Sequence, residues 1–202
     1  MNKLMKSAAG LMLACAAFTF SSCDDDSDII GLNDATKYGF IKVTVEGTRP
    51  DGEAYTLNRT FKFASSTGPE YSSTVDTGQD GDIYRSFDVV RYAGAINESN
   101  EGDGNYANLQ IYTQEGDEIF TNANFQLNTP VTTDDKEYFY IYENVNVDNE
   151  DVTSYQYNEE TGKLSYKFAK ELSAEESNSG FPVTITVNVN VTVFERINSI
   201  GF

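Results

Sequence analysis

The 202-residue chain contains no histidine and no tryptophan. Histidine is the usual proton shuttle near neutral pH and a frequent ligand of transition metals. Its absence excludes serine or cysteine catalysis through a histidine base. The absence of tryptophan means that any aromatic binding surface has to be built from the 13 tyrosines and 13 phenylalanines.

Cysteine is nearly as scarce, because the chain has only two, Cys15 and Cys23, and both lie close to the N-terminus. Residues 24–202 therefore contain no thiol that could form a disulfide, attack a substrate or bind a metal. The fold of that segment is therefore held together without disulfides.

Basic residues are few: 14 lysines and arginines stand against 32 aspartates and glutamates, for a formal charge of −18. A chain this acidic repels nucleic acids and anionic lipid headgroups, so we expect no nucleic-acid partner. Hydrophobic residues make up 39% of the chain and charged residues 23%. That composition and length predict one globular domain with a core of its own.

The N-terminus has the composition of a bacterial signal peptide. Residues 1–6 carry two lysines, and residues 7–20 are apolar or small, a stretch too short for a stable transmembrane anchor. Two serines follow, and then Cys23. We predict that residues 1–22 are removed, which would take two lysines away and the formal charge from −18 to −20.

The segment Phe20-Ser21-Ser22-Cys23 resembles a bacterial lipobox, although Phe20 stands where leucine is usual. The resemblance implies that Cys23 is diacylated through its sulfur and then becomes the N-acylated first residue. Two or three acyl chains hold a protein stably in a membrane. Cys15 is a competing site, but it would leave only a short apolar segment before it.

An acidic run follows this cysteine, formed by Asp24, Asp25, Asp26 and Asp28. It resembles the surface-export tail of Bacteroidetes-type lipoproteins, which implies an outer-membrane anchor with the domain facing the cell exterior. The alternative is the enteric-type sorting rule, in which aspartate after the cysteine implies retention, and the domain then faces the periplasm. On either interpretation residues 23–37 form a lipidated acidic tether to a single domain at 38–202.

Hydrophobic residues alternate with polar ones along most of this domain, as in half-buried strands. Residues 183–193 are the clearest case, with valine or isoleucine at every odd position and threonine or asparagine between them. The sequence predicts a hairpin at residues 38–63, because turn-forming residues at 48–53 separate two alternating segments. Further strands are predicted at the following positions: 83–92, 106–113, 119–127, 137–144, 152–157 and 164–168.

Eight or nine such strands predict an all-β fold, an antiparallel β-sandwich, with a closed β-barrel as the alternative. Uneven strand lengths and gaps favour the sandwich. The only candidate helix is residues 170–176, at most two turns long.

Tyr138, Tyr140 and Tyr142 are the best candidate ligand-binding residues of the domain, because they alternate with Phe139 and Ile141 on one predicted strand. The Phe/Ile side is expected to face the core, which leaves the tyrosines outward. Aligned outward tyrosines can stack on sugar rings and hydrogen-bond to them. Aromatic pairs across strands also stabilise sheets without any ligand, and this interpretation stays open.

Three acidic segments, 76–82, 97–105 and 148–151, contain oxygen ligands of the kind that calcium prefers. They lack the EF-hand spacing, and their aspartates, asparagines and glycines are also turn-forming residues. We therefore expect turns without a bound metal and no cofactor. Paired carboxylates for glycoside hydrolysis need proximity in space, so no catalytic residue can be chosen from the sequence.

These observations favour a non-enzymatic, membrane-anchored surface lipoprotein that binds a ligand or serves a larger complex. The anchor resemblance implies glycan capture as the first ligand class to consider. One alternative is a structural component of an envelope protein complex, and another is a carboxylate-dependent glycoside hydrolase.

Overall fold

The computed structural model describes residues 37–49, 51–64, 73–77, 83–94, 104–114, 120–132 and 138–197. Cys23, the acidic run after it and most of the tether lie outside these residues, as do 78–82 and 97–103 of the acidic segments. The lipidation and export predictions are therefore not addressed by the fold.

Eleven β-strands and one short 3-10 helix make up the described part of the chain. The strands are β1 (Gly39–Thr48), β2 (Ala54–Phe61), β3 (Ser73–Thr77), β4 (Ile83–Tyr92), β5 (Tyr106–Gln114), β6 (Phe120–Thr132), β7 (Tyr138–Val147), β8 (Val152–Asn158), β9 (Lys163–Leu172), β10 (Val183–Thr192) and β11 (Glu195–Ile197). The 3-10 helix, Asn149–Asp151, connects β7 to β8.

The strands form two sheets that pack face to face. The first has five strands in the order β2-β1-β10-β9-β8, and the second has six in the order β11-β3-β4-β5-β6-β7. Neighbouring strands are antiparallel except for β11, which runs parallel to β3. The predicted sandwich is confirmed, and the alternative of a single closed sheet is wrong. Within the described part of the chain, no helical segment has the length and hydropathy needed to cross a bilayer.

The predicted hairpin at 38–63 is confirmed, because β1 pairs with β2 in antiparallel register. Its turn closes with two backbone bonds: Arg49 N–H donates to Glu53 O, and Gly52 N–H donates to Arg49 O. Gly52 has a φ of +88°, a backbone conformation that glycine adopts without strain. The side chain of Arg49 also bonds to the Glu53 carboxylate across the turn.

The core lies between the sheets and is made by alternate residues of each strand. In β10 the buried residues are those at the odd positions, Val183, Ile185, Val187, Val189 and Val191. A slip of one residue would place threonine and asparagine in the core instead, so the register is strongly specified. Edge-to-face ring contacts join the sheets, such as Phe125 to Phe168, whose centroids are 5.4 Å apart.

The helix prediction for 170–176 is wrong, because residues 170–172 belong to β9 and pair with β10, and the chain turns in the rest of the segment. Burying Leu172 opposite Val183 outweighs the helix propensity of these residues. The chain then turns at Ser173, whose backbone N–H and hydroxyl both donate to the Glu176 carboxylate. These bonds, the backbone one first, lower the pKa of that carboxyl group.

Two strands were not predicted, and β6 extends further than predicted. β3 and β11 are short, with five and three residues, and the sequence around β3 is polar and typical of a loop. β6 continues through Pro130 to Thr132. Beyond Asn128, β6 pairs with β7 but no longer with β5. Pro130 has no backbone N–H to donate, and on the β5 side no strand of the described part of the chain is present to receive one.

Candidate functional site

The outward side of strands β4, β5, β6 and β7 is covered by amide and tyrosine side chains. Residues that alternate with the buried core of these strands point outward. The amides are Asn108, Gln110, Gln114, Asn122, Asn124, Gln126, Asn128, Asn144 and Asn146. The tyrosines are Tyr84, Tyr92, Tyr106, Tyr112, Tyr140 and Tyr142. We call this surface the amide–tyrosine face.

Strand register places the amides in two rows that run across β5, β6 and β7. One row is Asn108, Gln126 and Asn144, and the next is Gln110, Asn124 and Asn146. The Asn124 amide nitrogen donates to the side-chain oxygen of Asn144 at 2.8 Å and of Asn146 at 3.3 Å. An amide offers both donors and acceptors, so the rows present both kinds of group to a ligand.

Tyrosines lie on both sides of the amide rows, at the two ends of the face along the strand direction. At one end, Tyr92 is opposite Tyr106, and their rings meet edge to face with centroids 6.3 Å apart. Tyr142 lies two strands further along this end and is 48% exposed. At the other end Tyr112 is 47% exposed. The distance along β5 from Tyr106 to Tyr112 is about 20 Å for an extended strand.

The amide–tyrosine face carries almost no charge, in contrast to the chain as a whole. Strands β4 to β7 contain four charged residues, and three of them, Arg85, Arg91 and Glu143, occupy inward positions. Asp88 is the fourth and points outward, opposite Gln110. The residue is exposed, but partial desolvation of its carboxyl group by the neighbouring side chains raises its pKa, and hydrogen bonds with Gln110 and Asn108 oppose the shift.

The outward face of the five-stranded sheet is different, because threonines there are mixed with charges of both signs. Lys42 lies opposite Asn188, which in turn lies opposite Lys167. Glu46 and Glu171 flank Thr184 in the same way. This is the composition of an ordinary solvated surface, and it provides a control for experiments on the amide–tyrosine face.

The tyrosines predicted from the sequence lie on strand β7 at the edge of this face. Tyr140 is 58% exposed and Tyr142 48%, whereas Ile141 between them is buried. The predicted division into a core side and an outward side is confirmed for these residues. Tyr138 begins β7, but its side chain lies outside the described part of the structure.

Sequence reasoning missed the amides, although they are visible in the sequence as a second alternating pattern. Asn122, Asn124, Gln126 and Asn128 occupy every second position of β6. Only the register shows that they adjoin the amides of β5 and β7, because residues of three strands meet there.

One of the acidic segments is explained by an ion pair. Lys170 Nζ lies 2.6 Å from Asp148 Oδ2 and 2.8 Å from Asp151 Oδ2. Burial lowers the pKa of Lys170, but the bonds and charges of the two carboxylates outweigh it, so the net pKa is raised. Among the described residues there is no group of three or more side chains suited to holding a metal ion.

Glu143 is the one carboxylate buried in the described part of the sandwich, with 0% of its surface exposed. It accepts hydrogen bonds from the Ser177 hydroxyl at 2.8 Å, the Asn178 N–H at 2.9 Å and the Ser179 N–H at 3.4 Å. These donors belong to the loop between β9 and β10. Burial, with the nearby charge of Glu143, also raises the pKa of Tyr55 to about 12.

Arg91 is buried next to Tyr38, the residue that precedes β1. Its guanidinium donates to the carbonyl of Val90 at 2.8 Å and to that of Tyr38 at 2.9 Å. Burial lowers the pKa of Arg91 to about 10. The same Tyr38 carbonyl accepts the Thr192 N–H at 2.9 Å, so both sheets hold this residue.

Comparison of the chain with protein-family models, curated proteins and solved structures finds no match in any of the three.

Proposed function

We propose that this protein is a lipoprotein anchored through Cys23 and that its β-sandwich binds glycans, without catalysis, on the amide–tyrosine face. The observation that carries the proposal is the surface of nine amides and six tyrosines on four adjacent strands, whose one outward charge is Asp88. Amide groups match the donors and acceptors of sugar hydroxyls, and tyrosine rings stack on sugar rings.

The contrast between the two outward faces supports a binding role. A face that needs only to be soluble can carry lysine and glutamate, as the five-stranded sheet does. Binding surfaces favour tyrosine and asparagine, since tyrosine gives large contact area at small entropic cost and asparagine gives adaptable hydrogen bonds. The amide–tyrosine face has the second composition.

The proposed location is the outer membrane, with the domain facing the cell exterior. It is supported by the resemblance of residues 20–28 to a lipobox followed by an export tail. Protease treatment of intact cells tests it. Removal of the domain from intact cells supports the exterior location, whereas survival until the envelope is opened places the domain in the periplasm.

Glycan binding is tested with the purified lipoprotein in detergent micelles by affinity electrophoresis against a polysaccharide panel. Replacing Tyr140 and Tyr142 with alanine should weaken binding about tenfold or more, since stacked rings contribute over a kilocalorie each. The matched control is alanine at Asn188 and Asn190, on strand β10 of the opposite face. Equal effects of the two double variants, or no binding by the wild type, would contradict the proposal.

A structural role in an envelope complex is the second candidate function, favoured by the exposed edge of β7. This ten-residue strand is the last in its sheet and pairs with β6 alone among the described strands. An open edge can accept a strand from another protein. Loss of complex assembly in a deletion strain, together with no glycan bound, would favour this candidate.

Glycoside hydrolysis with paired carboxylates is a weaker alternative. It requires two acids on either side of the scissile bond, and the described part of the amide–tyrosine face carries one, Asp88. Release of reducing sugar from a bound polysaccharide would support hydrolysis over binding alone.

A further inference from the structure

We propose that the ligand of the amide–tyrosine face is an uncharged polysaccharide and that Asp88 helps to exclude acidic ones. The inference rests on the proposed function, because it names the substrate class of the same surface. The basis for this selectivity is the distribution of charge across strands β4 to β7.

No lysine or arginine of these four strands points outward. Strands β5, β6 and β7 contain none, and the two arginines of β4 occupy inward positions. A sugar carboxylate or sulfate bound here would lose hydration without gaining a counter-charge, which is unfavourable. Uncharged hydroxyls meet amide partners and have no such cost.

Asp88 adds repulsion near the amide rows. It lies on β4 opposite Gln110, whose row continues through Asn124 to Asn146. Hydrogen bonds with the side chains of Gln110 and Asn108 hold its carboxylate beside these amides. A single negative charge at contact range near a protein surface should disfavour an anionic ligand by about threefold to tenfold.

The same carboxylate is a strong acceptor for an uncharged ligand. A sugar hydroxyl can donate to an ionised carboxylate in a charge-assisted hydrogen bond, which is stronger than a bond between neutral groups. Asp88 therefore discriminates in both directions, because it attracts hydroxyls and repels acidic substituents.

The positions of the tyrosines indicate a chain rather than a single sugar. Tyr106 and Tyr112 are separated by about 20 Å along β5, with Asn108 and Gln110 between them on the same face. A monosaccharide contacts one end only. Affinity should therefore rise with oligosaccharide length until the ligand reaches both ends.

The test uses pairs of polysaccharides that share a backbone and differ in whether their substituents are charged, with the full-length lipoprotein in detergent micelles. Suitable pairs are dextran with dextran sulfate, hydroxyethyl cellulose with carboxymethyl cellulose, and methyl-esterified with de-esterified pectin. For the pair that binds, the wild type should bind the uncharged member at least tenfold more tightly. Added salt should narrow this ratio by screening the repulsion.

Asp88→Asn removes the charge and keeps the shape. It should reduce the preference for the uncharged polysaccharide by about threefold or more. Glu46→Gln is the matched control, since it removes one negative charge from the outward face of the other sheet. It should leave the preference unchanged.

The outcomes separate this inference from the proposed function. Equal or tighter binding of the acidic member by the wild type would overturn the inference while glycan binding stands. If Asp88→Asn kept the full preference for the uncharged polysaccharide, Asp88 would play no part in excluding acidic ones. Failure of every member of the panel to bind would reject the proposed function itself.

Discussion

Glu143 on β7 of the six-stranded sheet accepts a 2.8 Å hydrogen bond from the hydroxyl of Ser177, a loop residue between two strands of the five-stranded sheet. Ser177 lies in the loop that joins β9 to β10, and the backbone N–H groups of Asn178 and Ser179 point at the same carboxylate. The contact therefore ties the β9–β10 loop to the last strand of the other sheet.

Glu143→Ala should lower the free energy of unfolding by about 3 kcal/mol, because three donors lose a buried charged acceptor. Urea denaturation measures the change, and limited proteolysis should show faster cleavage in residues 173–182. Glu150→Ala removes an exposed carboxylate from the nearby 3-10 helix and should have little effect. Similar stabilities of the two variants would mean that the loop is held by other contacts.

Asp88→Asn should stabilise the domain at neutral pH. The folded state raises the pKa of this carboxyl group, so ionisation of Asp88 costs folding free energy above that pKa. The variant should melt at a higher temperature than the wild type at pH 7. The difference should shrink as the pH falls and the wild-type carboxyl becomes protonated. A difference that is constant with pH would show that charge is not its cause.

Alkaline titration should separate the tyrosines into two classes. Burial raises the pKa values of Tyr55, to about 12, and of Tyr155 and Tyr166. Their stabilising contribution is complete below pH 10 and should be lost as the pH rises through their raised folded-state pKa values. Without tryptophan, ultraviolet absorbance reports tyrosinate directly. Tyr55→Phe should remove one tyrosine from the class that ionises at higher pH. A single titration step near pH 10 for every tyrosine would contradict the burial of all three.

Lys170→Met should destabilise the domain by about 1 kcal/mol, the range of a partly exposed ion pair. Lys170 bridges Asp148 and Asp151, and its side chain is 16% exposed. Its raised pKa means that this stabilisation is present below the usual lysine pKa and is lost as the pH rises through the folded-state value. A double-mutant cycle with Asp151→Asn, followed by urea denaturation, isolates the coupling, and additive effects would show that the pair contributes nothing.

Cys23→Ala should abolish incorporation of a labelled fatty acid and leave the protein unprocessed or released from the membrane. Cys15→Ala is the control, since this cysteine lies within the predicted signal peptide and should leave labelling intact. Continued labelling of Cys23→Ala would place the anchor elsewhere.

Local periodicity predicted the parts of the fold that depend on one strand at a time. The alternation in β10 and the β1–β2 hairpin identified strands and core faces, and it placed Tyr140 and Tyr142 outward. It could not show the amide rows, because the pairing of β5, β6 and β7 brings those residues together. The helix error at 170–176 has the same origin, since pairing with β10 decides the conformation of that segment.

The two bonds to the Tyr38 carbonyl would have a mechanical consequence for the proposed anchored receptor. If the domain is anchored through Cys23 and holds a polymer on the six-stranded sheet, the load on the anchor enters the domain beside Tyr38. Thr192 and Arg91 distribute it between the two sheets at this point. Since β1 is bonded along both edges, to β2 and β10, tension along it loads many hydrogen bonds in shear at once. The geometry resists peeling of the strand from the end where force is applied.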